Sequence, residues 1–268
     1  MNALTEHHGG GHRTRHSKPP QTPAQKVEAI CRANYRLRVA ETKEDVRAAQ
    51  VLRFVVFNLE LQEGLEHSYS TCLDADAYDD VCQHLLVEDV RTKEVVGTYR
   101  LQTGRSAAAN LGYYSAQEFD FAPYERLRGE LLELGRACVH SSHRSMLVVS
   151  LLWKGITNYA NSNGCRYLIG CSSITSQDPA VGMAAYRAME ANLVREELRT
   201  VPLPEFKCES TDVVAQAPKI PKLLSAYLAM GAQICGPPAI DQEFKTIDFL
   251  TFQDLHSMPA RVMSRFMT

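Results

Sequence analysis

From position 35 onward, the order of apolar and polar residues alternates between the period of a strand and that of a helix. The segment YRLRVA at 35–40 alternates strictly, which predicts a half-buried strand. Thr42 and Asp45 have the spacing of a capping box, which predicts a helix beginning there and covering 44–59. The folded part of the chain is therefore expected to start with a strand and an amphipathic helix.

The middle of the chain carries the clearest patterns. Two apolar runs, 84–88 and 95–102, flank the polar turn DVRTKE and predict an antiparallel hairpin. Residues 131–139 and 166–171 predict buried strands, and the apolar pattern over 146–162 predicts a helix between them. The residues between the hairpin and the first buried strand have no regular period.

The last third of the chain is less regular. Pro179 indicates the first turn of a helix that we expect to reach about residue 197. A short helix is expected over 221–230, followed by strands over 232–235 and 244–252. Strands and helices alternate in the middle and hairpins lie at the ends, which predicts an α/β protein with a mixed central sheet and helices on both faces.

The composition excludes several classes of protein. The 268 residues are long enough to bury a sizeable core without disulfides or metal. The net charge of −2 argues against nucleic acid as a partner. No apolar run approaches the ~20 residues of a membrane-spanning helix, and the N-terminal sequence lacks the apolar core of a signal peptide. We expect a cytoplasmic protein, with peripheral contact at the inner face of the membrane left open.

Residues 1–30 differ from the rest of the chain. They are rich in Gly, Pro, His and basic residues and have no apolar period, so we expect a disordered, basic, His-rich tail. Residues 31–268 are then expected to form one domain with a C-terminal extension. The eight cysteines match neither a zinc site nor a dense disulfide framework and are expected to be reduced and mostly buried. Dinucleotide, Walker and nucleophile-elbow motifs are absent from the sequence.

Charged residues occupy positions where the strand pattern requires burial. Arg100 lies in the apolar run VVGTYRL, and Glu133 and Arg136 lie in LLELGRACV. Asp76 and Asp79 come just before the first strand of the hairpin. Because an unpaired buried charge is costly, these residues must find partners. They predict either a salt-bridge network that fixes the sheet or a site that binds the carboxylate and the ammonium group of an amino acid.

The same charged residues carry a family resemblance. The motifs are R-x-x-x-F (Arg53, Phe57), D-x-Y-D (Asp76, Asp79), G-x-x-R-L (Gly97, Arg100, Leu101) and E-x-x-R (Glu133, Arg136). In this order they resemble the acyl-homoserine-lactone synthases, relatives of the Gcn5-related N-acyltransferase (GNAT) fold that use acyl carrier protein. Segments such as ELGRACVH at 133–140 and GCSSITSQDP at 170–179 more closely resemble the ornithine-lipid-type, hemolysin-like N-acyltransferases and the long-chain N-acyl amino acid synthases.

Two departures narrow the resemblance, which covers roughly residues 35–255. The homoserine-lactone synthases carry a tryptophan soon after R-x-x-x-F, whereas the single tryptophan here is Trp153. Acetyl-coenzyme A enzymes of the GNAT fold carry a glycine-rich pyrophosphate loop, whereas the corresponding turn here is HSSHRS. The resemblance therefore implies a GNAT-like, mostly antiparallel sheet and an acyl donor carried by acyl carrier protein, with coenzyme A as the alternative.

The resemblance also implies roles for individual residues. Glu133 and Arg136 would be catalytic, with Glu133 deprotonating the amine and Arg136 either assisting or locking Glu133 in place. Arg100 would bind the substrate carboxylate, and a bulge in strand 133–139 would direct a backbone N–H to the oxyanion. The other substrate-binding residues would be Asp76, Asp79, Arg53 and Phe57. The residues expected to contact the acyl chain or phosphopantetheine are Cys138, Val139, Arg144, Ser145 and Cys171. No metal and no permanently bound cofactor is expected.

Four functional hypotheses follow. The leading one is an N-acyltransferase that moves a long fatty acyl chain from acyl carrier protein to the α-amine of an amino acid, ornithine or glycine, by direct aminolysis. The apolar segments 146–153 and 168–169 would line an acyl tunnel. The alternatives are an acyl-homoserine-lactone synthase, an acetyl-coenzyme A-dependent acetyltransferase, and a non-catalytic acyl- or lipid-binding protein.

Overall fold

The computed structural model describes residues 30–212, 214 and 218–259. The expected N-terminal tail lies outside these residues, apart from Ile30 at its end. Within the described residues one sheet holds nine strands, eight of them in the order β1-β2-β3-β4-β5-β6-β9-β7, with β8 also pairing with β9. The strands are β1 (Ile30–Arg32), β2 (Tyr35–Val39), β3 (Gln83–Asp89), β4 (Val95–Thr103), β5 (Leu131–Val139), β6 (Tyr167–Ile174), β7 (Gln233–Ile234), β8 (Ala239–Asp241) and β9 (Thr246–Asp254).

All strand pairs are antiparallel except β5 with β6, which confirms a mixed, mostly antiparallel sheet. The α-helices of the described residues are α1 (Lys43–Arg53), α2 (Ser68–Thr71), α3 (Gly104–Ala109), α4 (Met146–Ser162), α5 (Pro179–Ala188) and α6 (Lys222–Ala229). None of the helices described is both long and apolar enough to cross a membrane.

Helices cover both faces of the sheet, as predicted. Helix α4 packs on β2, β3 and β4, where Leu85 and Tyr99 enter its apolar core. Helix α1 also packs on β3, β4 and β5 but meets the opposite face, to which Arg100 and Cys138 point. The alternation of side chains along each strand therefore separates an apolar α4 face from an α1 face that carries the charged residues.

The first helix begins as predicted and then changes its pitch. Thr42 and Asp45 form the predicted capping box. The helix continues as a π-helix over Phe54–Leu61, and it ends at Gln62, which has the left-handed backbone conformation. π-Helical segments are rare and often mark functional sites. The apolar period over 44–59 indicated one helix but not this widening, which places Phe57 beside the cleft described below.

The predicted extent of α5 is wrong. The helix ends at Ala188, and the next residues leave it because Val194 donates its backbone N–H to the carbonyl of Ile234 at 2.9 Å. Pairing with the sheet edge at β7 thus overrides a pattern that could continue as a helix. The sequence also did not indicate the short strands β1 and β8.

Strands β5 and β6 part after three paired residues, ending with Glu133 opposite Ile169. At the next position, a Cβ atom on Gly170 would lie 2.1 Å from the carbonyl oxygen of Leu134, so only glycine allows this close approach. Beyond the split, β5 has the expected bulge, with a register shift opposite Thr98 and Arg100 and a φ of 49° at Arg136. The split and the bulge position the site.

Candidate active site

A cleft of about 400 Å³ opens where β5 and β6 diverge. Its wall includes Tyr99 and Leu168, which belong to the α4 face, and Arg100 and Glu133, which belong to the α1 face. Neighbouring residues of one strand point to opposite faces, so the cleft must pass through the sheet at the split. One arm is therefore apolar and the other polar.

On the polar arm, Asp79 is the centre of a buried ion-pair network. The guanidinium of Arg53 donates to both carboxylate oxygens at 2.6 and 2.9 Å, and Gln50 donates to one of them at 2.9 Å. Nη1 of Arg100 lies 3.1 Å from the other oxygen. Burial opposes ionisation, but the hydrogen bonds and charge of Arg53 hold the pKa of Asp79 well below its usual value. Asp79 is therefore a fixed anion that locks two arginines.

Arg136 is held by two other acids. Its guanidinium contacts Asp74 at 3.3 Å and Asp76 at 3.2 Å, and it lies over the ring of Phe244 at 4.2 Å. Arg136 therefore does not lock Glu133 in place, although both side chains border the cleft. The sequence analysis missed Asp74. The only signal for it was its position, two residues before Asp76 in the same acidic segment.

Arg100 and Arg136 keep guanidinium atoms for a ligand, whereas Arg53 does not face the cleft. Every ion pair of Arg100 runs through Nη1, to Asp76 at 2.6 Å and to Asp79. Its guanidinium lies 4.9 Å from the centre of the Tyr114 ring, on the cleft wall. Arg53 is fully buried behind them. The structure thus brings the three predicted arginines together. Arg53 is a structural residue behind the site, whereas Arg100 and Arg136 line the cleft.

Glu133 lies at the split, on the polar side. Its carboxylate accepts backbone N–H groups from Tyr114 at 2.8 Å and Ser115 at 2.7 Å. It is 4% exposed, and burial raises its pKa although the two N–H groups oppose the rise. The turn over Ser115–Gln117 therefore orients this carboxylate, and burial makes it a stronger base than an exposed glutamate.

Four of the five residues expected near the acyl chain lie at the end of β5 and the start of α4. Cys138 packs against Leu52 on the α1 face. Ser145 caps α4 by accepting from Val148, and Arg144 forms an ion pair with Glu60 of the π-helix. Val139 accepts a hydrogen bond from Arg144 through its carbonyl at 3.1 Å. Phe57 reaches the cleft, and Cys138 lies beneath it in the same apolar cluster.

Cys171 is the expected acyl-site residue that does line the cleft, and it has two acidic neighbours that the sequence analysis missed. Its sulfur and carboxylate oxygens of Glu118 and Asp248 all lie within 4.8 Å of one another. Asp248 is in the predicted final strand, where a lone acid in an apolar run was a usable signal. Glu118 lies in a segment without periodicity, so only the fold brings it here.

Comparisons with known proteins agree with this geometry. The model of the Acetyltransferase (GNAT) domain matches residues 52–154. The chain is 34% identical to the L-ornithine N(alpha)-acyltransferase of Agrobacterium fabrum, over 85% of this chain and 84% of the relative. It is 31% identical to the enzyme of the same name from Brucella abortus, over 86% and 88% of the two chains.

A solved structure supports the fold. FeeM, an N-acyl amino acid synthase from uncultured soil microbes, superposes with a TM-score of 0.53 at 12% identity, covering 87% of this chain and 98% of that chain. The split sheet, its two-armed cleft and these relatives define an acyltransferase of the GNAT fold. Within that class, the chain belongs to the L-ornithine N(alpha)-acyltransferase family. The leading hypothesis from the sequence is thereby confirmed at the level of reaction class.

Proposed function

We propose that this acyltransferase moves a long fatty acyl chain from acyl carrier protein to the α-amine of ornithine by direct aminolysis of the thioester. The observation that carries the proposal is the buried carboxylate of Glu133 at the point where the polar and apolar arms of the cleft meet. Sequence identity of about a third to the ornithine acyltransferases of two bacteria favours ornithine over glycine as the acceptor.

The polar arm suits an amino acid. Arg100 and Arg136 border it, and both keep N–H groups that the ion pairs with Asp74, Asp76 and Asp79 do not use. A guanidinium binds a carboxylate through parallel N–H donors, which would fix the acceptor's carboxylate there. The α-amine is attached to the same Cα atom as that carboxylate, and in this position it is directed towards Glu133.

Glu133 is proposed as the general base. Only the neutral amine attacks a thioester, so the ammonium form of the acceptor must lose a proton. The raised pKa of Glu133 increases its affinity for that proton, and the N–H groups of Tyr114 and Ser115 fix its direction. The neutral amine then attacks the acyl carbonyl and forms the C–N bond. As the C–S bond breaks, one of the two protons still on the attacking nitrogen passes to the departing pantetheine thiolate, and Glu133 releases its own proton to solvent.

The apolar arm suits the acyl chain. Tyr99, Trp153, Leu168 and Tyr227 line it on the α4 face, and the hydroxyl groups of Tyr99 and Tyr227 satisfy each other. Each buried CH₂ group contributes about 0.8 kcal/mol of transfer free energy, which favours a long chain over acetyl. The bulge of β5 lies between the two arms, where its backbone N–H groups would stabilise the oxyanion.

The test is a comparison of wild type, Glu133→Gln and the control Glu130→Gln. Glu130 is exposed and lies three residues earlier in the chain. With palmitoyl-acyl carrier protein and ornithine, loss of a positioned base is expected to lower kcat by about 100-fold or more, while the control retains wild-type turnover. Mass spectrometry identifies the product as Nα-palmitoyl-ornithine.

Two results would contradict the proposal. Formation of another N-acyl amino acid in a mixture that contains ornithine would remove ornithine as the acceptor. Turnover within a few-fold of wild type in Glu133→Gln, with an unchanged thermal midpoint, would remove Glu133 as the base.

A further inference from the structure

Two buried acids at the polar end of the cleft contact no cation among the described residues, although the charge of Arg136 acts to lower the pKa of both. Glu118 is 3% exposed and Asp248 is 6% exposed. In the part of the chain that the structure describes, neither forms an ion pair, in contrast to Asp74, Asp76 and Asp79, each of which contacts a guanidinium. A buried carboxylate is costly unless a cation or several donors compensate it, so this pair needs an explanation.

The hydrogen bonds at this pair are incomplete. The Oε2 atom of Glu118 is buried and has no hydrogen-bond partner. Asp248 accepts hydrogen bonds from the hydroxyls of Thr246, at 2.9 Å, and Ser173, which still leaves lone pairs of the carboxylate unused. The carboxylate oxygens and the Cys171 sulfur lie within 4.8 Å of one another, and both Cys171 and Asp248 border the cleft. These three groups therefore form a small polar recess at the edge of the cleft, in which one carboxylate, that of Glu118, has a buried oxygen without a hydrogen-bond partner.

The recess lies on the same face of the sheet as Glu133. Glu133 pairs with Ile169 across β5 and β6, Cys171 is two residues further along β6, and Asp248 pairs with Ser173 on β9. Residues two apart along a strand share a face. Glu118 closes the recess from the segment that also supplies the N–H of Ser115 to Glu133. The recess is thus an extension of the polar arm beyond the proposed base.

We propose that Glu118 and Asp248 bind the side-chain ammonium of the acceptor and so select a diamino acid over one with a neutral side chain. This inference rests on the proposed function, because it assumes that the α-amine lies at Glu133 and the carboxylate at Arg100 and Arg136. The aliphatic chain of ornithine then extends along the polar arm, and its terminal ammonium enters the recess. An ammonium group has three donors and a positive charge, which the two carboxylates accept.

A metal ion fits the recess less well. Burial, with the charges of Glu118 and Asp248, raises the pKa of the Cys171 thiol well above its usual value, and the thiolate is the form that binds metal. The two remaining carboxylates are too few to complete the coordination of a hard cation. An ammonium group carried in by the substrate needs no further protein ligand.

The experiment compares ornithine with norvaline, which has the same carbon chain and lacks the terminal amine. The quantity measured is the ratio of kcat/KM for ornithine to kcat/KM for norvaline, in wild type, Glu118→Gln, Asp248→Asn and the exposed control Glu190→Gln. Each recess variant is expected to lower the ratio about tenfold or more, since one charge-assisted contact is lost. The control is expected to keep the wild-type ratio.

Calorimetric titration without acyl donor separates this inference from the proposed function. Tighter binding of ornithine than norvaline, lost in Glu118→Gln, supports the recess even if the wild type transfers no acyl group to ornithine. An unchanged ratio in both variants, with thermal midpoints near wild type, overturns the inference. So does a stoichiometric metal ion in the purified wild type that Glu118→Gln no longer retains. Two independent variants keep the test informative if one of them does not fold.

Discussion

Buried acids on the α1 face differ in whether a guanidinium reaches them. Asp79 accepts two N–H groups from Arg53, and its pKa is held low. No guanidinium contacts Asp248 among the described residues, and burial together with Asp241 raises its pKa to about 6, against hydrogen bonds from Ser173 and Thr246 and the more distant charge of Arg136. The first kind of acid stabilises the fold, and the second remains available to a ligand.

Asp79→Asn is expected to destabilise the protein by about 3–5 kcal/mol, because Arg53 would be left buried without its main partner. Denaturant unfolding measures the loss. A change under about 1 kcal/mol would contradict the network assigned here.

The same network makes a prediction about pH. Because the folded-state pKa of Asp79 is depressed, its contribution to stability is complete above the unfolded value of 3.8 and is lost as the pH falls below it. The stability difference between wild type and Asp79→Asn should therefore shrink below pH 4.

The close approach of β5 and β6 where the split begins depends on one glycine. Gly170→Ala would place Cβ 2.1 Å from the carbonyl oxygen of Leu134, so the strands must move apart. We expect a stability loss of about 1–3 kcal/mol, as is usual for overpacking, and a larger fractional loss of turnover because Glu133 moves with β5. Thermal unfolding and palmitoyl transfer measure the two effects. Full activity in Gly170→Ala would show that the split tolerates a wider spacing.

Secondary structure was predictable where local pattern and tertiary contacts agree. The bounds of β5 and α4 match the sequence prediction because each has a continuous apolar pattern and α4 has a serine cap. Helix α5 was predicted too long because the bond from Val194 to Ile234 joins residues 40 positions apart. A local period carries no information about such a contact.

At the scale of the whole molecule, the described residues form a cleft with two arms, and the turn that precedes α4 contains no glycine with which to bind the pyrophosphate of a nucleotide. The turn over Ser141–His143 leads into α4, whose first donors are partly used by the Ser145 cap, and Arg144 is paired with Glu60. A phosphopantetheine arm presents one phosphate, whereas coenzyme A adds a nucleotide that needs further contacts.

The kcat/KM for palmitoyl-acyl carrier protein is therefore expected to exceed that for palmitoyl-coenzyme A by about tenfold or more. A tenfold ratio corresponds to the free energy of about one charge-assisted hydrogen bond. Steady-state assays with both donors at saturating ornithine measure the ratio. Equal values, or a preference for the coenzyme A thioester, would contradict the assignment of the donor.

What could be read from the order of residues was local or compositional: seven of the nine strands described, the capping box of α1, and the rule that Arg100, Glu133 and Arg136 in apolar runs must find partners. Which partners they find depended on the fold. Asp74 reached Arg136 across 62 positions, and Glu118 met Asp248 across 130. The chemistry of a side chain determines which kind of partner it needs when its charge is buried. The path of the backbone determines which residue lies close enough to be that partner.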